Sequence, residues 1–234
     1  MKRATKTLVG SLIVGLSLTM AAPTQATAKI INVPADFMPA PLSDTRATGH
    51  YEVVSTGLRI WTEGSTSTDK VAEYVATSTP LADVGSPTLE YTATSGGTPG
   101  FQLVVDFDGN GSADGILVGE PVYGGNWWLN NAAAQFVKDV SPTVGGGGST
   151  WNGTLAAWQA AFSSANVVAF GFSLGSGVLG DGILNAINFA GDRFTFTVPV
   201  VLTNAAQCKK GGWRTSTAPV FADQGQCVSS FTKK

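Results

Sequence analysis

From residue 50 onward, apolar and polar positions alternate in short runs. This period of two predicts strands over 51–54, 58–62, 71–76, 89–93, 101–105, 116–118, 123–129, 134–137, 167–172, 183–189 and 193–202. Between the runs stand segments rich in Ser, Thr, Gly, Asn and Pro, the residues that suit turns, and Ala190-Gly191-Asp192 reads as the last hairpin turn. In Trp127-Trp128-Leu129 the alternation sets Trp127 and Leu129 on one face and Trp128 on the other, so one indole is expected in the core. One segment departs from the pattern: Leu155, Trp158 and Phe162 recur at helical spacing behind Thr154, a residue type that caps helix N-termini. Residues 140–150, with Pro142 and four consecutive glycines, read as a flexible loop placed to cover a binding face. Residues 30–46, with Pro34, Pro39 and Pro41, read as an extended lead-in.

Ahead of this, Lys2, Arg3 and Lys6 precede an apolar run over 8–20 and then Ala26-Thr27-Ala28. That order predicts a secretory leader cleaved after Ala28. The apolar run is short for a bilayer, and no later stretch approaches the length of a span. The expected organisation is a leader over 1–28, an extended segment over 29–49, one all-β domain over 50–203 and a tail over 204–234. Low charge (13%), 29 glycines and many Val, Thr, Phe and Trp residues favour an antiparallel β-sandwich or jelly roll with one short helix.

The formal net charge is −2, and loss of the leader's three basic residues makes the exported chain more acidic still. A nucleic-acid partner is therefore disfavoured, since phosphate contact needs clustered Lys and Arg. Export also implies an oxidising compartment, so Cys208 and Cys227 are expected to pair, closing a loop worth about 3 kcal/mol by the chain-entropy account. One histidine and two cysteines make a structural zinc site a poor fit.

The most distinctive chemistry lies at Asp106-Phe-Asp108-Gly-Asn110-Gly-Ser112-Ala-Asp114. Oxygen side chains at the first, third, fifth and ninth positions, with glycines between them, form a donor set suited to calcium. Three carboxylates so close together repel one another unless a cation neutralises them. An EF-hand would place a Glu where Leu117 stands and would need helical flanks, so that fold is rejected. The same residues also suit a metal-free turn. The segment resembles the D-x-D-x-D-G-x-x-D calcium hairpin of FG-GAP and VCBS repeats, occurring here once. That resemblance implies a further ligand in the main-chain carbonyl of Ser112, and Asn110 stands where the hairpin usually has a third Asp. The tail, Cys208-Lys-Lys-Gly-Gly-Trp213 with Gln224-Gly-Gln-Cys227-Val, resembles the C-terminal tail of a family of secreted bacterial proteins, many of them actinobacterial.

Near the metal loop or the glycine run lie Tyr123, Trp127, Trp128 and Trp151, candidates for stacking on sugar rings, although most tryptophans serve cores. Gly171-Phe-Ser173-Leu-Gly175 spells a formal G-x-S-x-G. The glycine-rich sequence after it suits no helix, and the only histidine, His50, precedes it, so a hydrolase elbow is rejected. His50 itself reads as a surface residue, and Asp181 as a turn former. The expectation is a secreted, calcium-stabilised, monomeric and non-catalytic binding module for carbohydrate or cell-envelope glycan. A glycoside hydrolase would need two carboxyl groups, drawn from residues such as Glu73, Glu90 and Glu120, facing each other across a groove. A purely structural envelope protein would bury all six tryptophans and show no groove.

Overall fold

The computed structural model describes residues 27–232. The expected leader lies outside them except for Thr27 and Ala28, which open the first strand. Twelve strands follow in chain order: β1 (Thr27–Asn32), β2 (Gly49–Val54), β3 (Gly57–Thr62), β4 (Lys70–Pro80), β5 (Thr88–Gly96), β6 (Gly100–Asp106), β7 (Gly115–Gly119), β8 (Asn126–Leu129), β9 (Asn152–Thr154), β10 (Asn166–Gly175), β11 (Gly180–Phe189) and β12 (Asp192–Thr197). They form two six-stranded sheets packed as an all-β sandwich. One sheet runs β4-β10-β6-β7-β8-β9, antiparallel throughout. The other is built on β11, which pairs along its length with β5 and, residue by residue, first with β3 and then with β12. Because a strand has two edges, β3 and β12 must share the edge opposite β5. β2 adds to β3, and β1 adds to β12 as the one parallel pair among the described strands.

Side chains from both sheets fill the space between them. Phe101, Leu103 and Val105 of β6 point inward with Leu117 of β7, and Trp127 and Leu129 of β8 join them while Trp128 faces away. Two strands change parity midway. On β10, Val167 faces the core before an irregularity, and after it Phe170, Phe172 and Leu174 do; on β11 inward positions shift from Leu184 to Ile187 and Phe189. An extra residue in one strand inverts the facing of everything beyond it.

The lead-in lies along the free edge of β4. Main-chain N–H groups of Met38, Asp44 and Arg46 donate to the carbonyls of Tyr74, Ala72 and Lys70, while Met38 and Leu42 cover Ala72 and Tyr74 on the sheet's outer face. An irregular segment thus blocks an edge that would otherwise pair with another chain.

Among the described residues the α-helices are three rather than one. α1 (Gln135–Val140) replaces the strand expected over 134–137: the Val137 and Lys138 N–H groups both turn back to the Ala134 carbonyl, at 3.2 and 3.4 Å, and Val137 is the residue the helix buries. α2 (Leu155–Ala161) forms as expected, with the Ala157 N–H donating to Thr154 Oγ1 at 3.2 Å. α3 (Gln224–Thr232) lies in the tail, where the Cys208–Cys227 disulfide packs with Phe221, Leu202 and Trp213 in a small core of its own. The segment expected as strand over 123–129 begins later, because Pro121–Tyr123 forms a 3-10 turn and Gly124 and Gly125 take positive φ. The segment over 193–202 pairs only as far as Thr197.

Candidate functional site

The β6–β7 hairpin carries the loop of Asp106, Asp108, Asn110 and Asp114 at its tip. Phe107, the residue after Asp106, packs edge-on against Phe162 at 4.7 Å between ring centroids and against the fully buried Trp158, whose indole N–H donates to the Trp127 carbonyl at 3.0 Å. That plug fixes where the loop starts. Asp106, 3% exposed, accepts the N–H groups of Gly109 (2.8 Å) and Asn110 (3.2 Å) on one oxygen and of Gly111 (2.8 Å) on the other. Gly109 and Gly111, at φ of 79° and 90°, supply the left-handed turns that bring those groups round. Asp114 Oδ2 accepts the Phe107 N–H at 2.8 Å, which pins the far side of the loop to the near side.

The aspartates converge: one carboxylate oxygen from each of Asp106, Asp108 and Asp114 lies within 4.8 Å of the others. Asn110 belongs to the same turn, its Nδ2 donating to Asp108 Oδ2 at 3.0 Å and its Oδ1 accepting the Ser112 N–H at 2.8 Å. Asp108, Asn110 and Ser112 are exposed and Asp114 is half-buried. Burial alone would raise the Asp106 carboxyl, but the Gly111, Gly109 and Asn110 N–H groups hold it below the usual carboxylate range. Three hard oxygen donors around one point, one of them fixed by the main chain, form a set that fits a divalent cation of the calcium type.

The four aromatic candidates do not come together. Only Trp127, 7% exposed, lines a groove of about 410 Å³ with Leu89 and Tyr91 of β5, Phe101 of β6, and Glu120 and Asn126. Tyr123 sits in the 3-10 turn outside that lining. The Trp128 indole N–H donates to Glu120 Oε2 at 2.9 Å, and Gly148 lies against its ring, so part of the glycine run is packed rather than free. Trp151 leans on the core with the Lys138 ammonium 4.9 Å from its ring centre. The Tyr91 hydroxyl is buried without a partner, and burial, with the charge of Asp181, pushes its ionisation up to about 12. Sequence reasoning missed Leu89, Tyr91 and Phe101, which carry no local signal beyond being inward positions of strands.

The carboxylates considered for hydrolysis are dispersed. Glu90 is held by Arg193 at 2.8 and 2.6 Å and by Asn188. Glu120 is the one carboxylate among the groove-lining residues. Glu73 is buried under Thr45, whose hydroxyl donates to it at 2.6 Å, and burial outweighs that bond and a second from Ser43 to raise its pKa. A raised folded-state carboxyl loses stability as pH climbs from the unfolded pKa through the folded one. Glu73→Gln is therefore expected to be more stable than the parent at neutral pH and to match it in acid, checked by denaturant midpoints across pH. His50 accepts or donates at 2.7 Å with Glu63 and stacks on Trp61, and Asp181 is paired to Arg59 at 2.9 Å. Ser173 lies inside β10, buried, its hydroxyl donating to the Gly175 carbonyl, with no helix after it.

Comparison of the chain with known protein families, with curated proteins and with solved structures finds no match.

Proposed function

We propose that the chain is a secreted, calcium-stiffened, non-catalytic binding module whose ligand is a carbohydrate, held in the groove at the base of the β6–β7 hairpin. The observation that carries this reading is the placement of groove and metal loop on the same two strands. Phe101 and Gly119 pair at the groove end, and Val105 and Gly115 pair beside the loop, four residues or about 13 Å away. A cation at the tip would hold the strands in register and so hold the wall on which a ligand rests.

The groove suits a sugar because aromatic edges from Trp127, Phe101 and Tyr91 meet a polar rim of Thr88, Glu120 and Asn126. Its single carboxylate supports binding over two-carboxylate hydrolysis. Its existence, together with Trp128 and Trp151 only half-buried, weighs against a purely structural role. The paired cysteines and the tail's resemblance to secreted bacterial proteins support export.

A glycan array read with calcium, with chelator, and with the groove-filling Thr88→Trp tests it. The expected result is one retained glycan class, binding weakened about tenfold by chelator, and loss of binding in Thr88→Trp. Thr88 is exposed at the rim, so the substitution leaves the core alone. Retention of no glycan, or equal retention by Thr88→Trp, would defeat the proposal.

A further inference from the structure

The chain contains two Asn-Gly dipeptides in opposite circumstances, Asn110-Gly111 and Asn152-Gly153. In such a pair the glycine main-chain nitrogen, once it loses its proton to hydroxide, can attack the preceding side-chain amide carbon. A carbon–nitrogen bond forms, ammonia leaves, and a five-membered succinimide results. Water then opens the ring at either carbonyl, so the net change is amide plus water to carboxylic acid plus ammonia, giving aspartate or its isomer with the backbone routed through the side chain.

Asn110 is the more open of the two. Both residues are exposed, nothing lies within 4 Å of the position a Gly111 Cβ would take, and the Asn110 side-chain carbonyl accepts the Ser112 N–H at 2.8 Å; ring closure there requires only that the Gly111 N–H leave Asp106 Oδ2, 2.8 Å away, in an exposed turn. At Asn152 the amide is 1% exposed and tethered to the Ser149 and Thr150 carbonyls, and Gly153 is held in β9 opposite Trp127 with Pro142 pressed against it. We propose that Asn110 is a spontaneous deamidation site whose aspartate product adds a fourth carboxylate to the Asp106, Asp108 and Asp114 cluster and tightens its hold on a divalent cation. The second half rests on the calcium reading above; the first does not. A further negative charge beside a divalent ion raises affinity, whereas the isomer lengthens the loop by one methylene and spoils it.

Protein incubated at mildly alkaline pH is digested and its peptides mapped by mass, while calorimetry compares calcium binding by the parent and Asn110→Asp. The expected result is conversion at Asn110 at least tenfold faster than at Asn152, and calcium binding by Asn110→Asp about tenfold tighter than by the parent. Conversion at Asn110 no faster than at Asn152 overturns the modification site. Conversion without tighter binding by Asn110→Asp overturns the tuning. If neither protein binds calcium while Asn110 converts, the metal reading falls and takes the tuning with it, and the modification site stands.

Discussion

Asp106→Ala is expected to lower the stability of the calcium-free protein by about 2 to 3 kcal/mol, because one buried carboxylate accepts three main-chain N–H groups and each net bond is worth about 1 kcal/mol. Asp108→Ala removes an exposed side chain whose partners lie within the same turn, and its expected cost without calcium is within about 0.5 kcal/mol. Calcium separates the two roles differently. For the parent, calcium at ten times its dissociation constant should add about 1.4 kcal/mol, and both variants should lose that gain. Denaturation curves with calcium and with chelator read all three quantities. A full calcium response in Asp108→Ala would remove it from the ligand set. Equal stability of the two variants under chelator would show that Asp106 does not organise the turn.

The convergence of Asp106, Asp108 and Asp114 was legible in the sequence because every part of their loop falls within nine residues, so spacing alone dictates which oxygens can converge. The strands were legible for the same reason, wherever one face is buried and the period of two persists. Legibility failed where the period slips. The irregularities in β10 and β11 put Val167 and Phe170, or Leu184 and Ile187, on one face, and a strict alternation cannot express that. It failed again at α1, where one buried valine in a short alanine-rich segment gives a strand reading as easily as a helical one. Of the groove only Trp127 was legible. Leu89, Phe101, Asn126 and Trp127 come from three separate strands in two sheets, and only the pairing of those sheets brings them together.

The G-x-S-x-G sequence is explained by strand packing, and its first glycine should matter more than its serine. Gly171 lies opposite Tyr74 where β10 runs close against β4, and a Cβ there would fall 2.0 Å from the Glu73 carbonyl oxygen, a main-chain atom that cannot swing aside. Gly171→Ala must push β10 and the edge strand β4 apart, and its expected cost is about 3 kcal/mol. Ser173→Ala forfeits one hydroxyl bond to the Gly175 carbonyl, and its expected cost is about 1 kcal/mol. Urea midpoints for the two variants check the order. A nucleophilic serine would invert the functional consequence: Ser173→Ala would then abolish activity on any glycan the array retains while leaving the fold intact, and Gly171→Ala would be tolerated as a turn residue. The packing account requires Ser173→Ala to bind that glycan as the parent does, because Ser173 is buried in β10 and is not among the residues lining the groove.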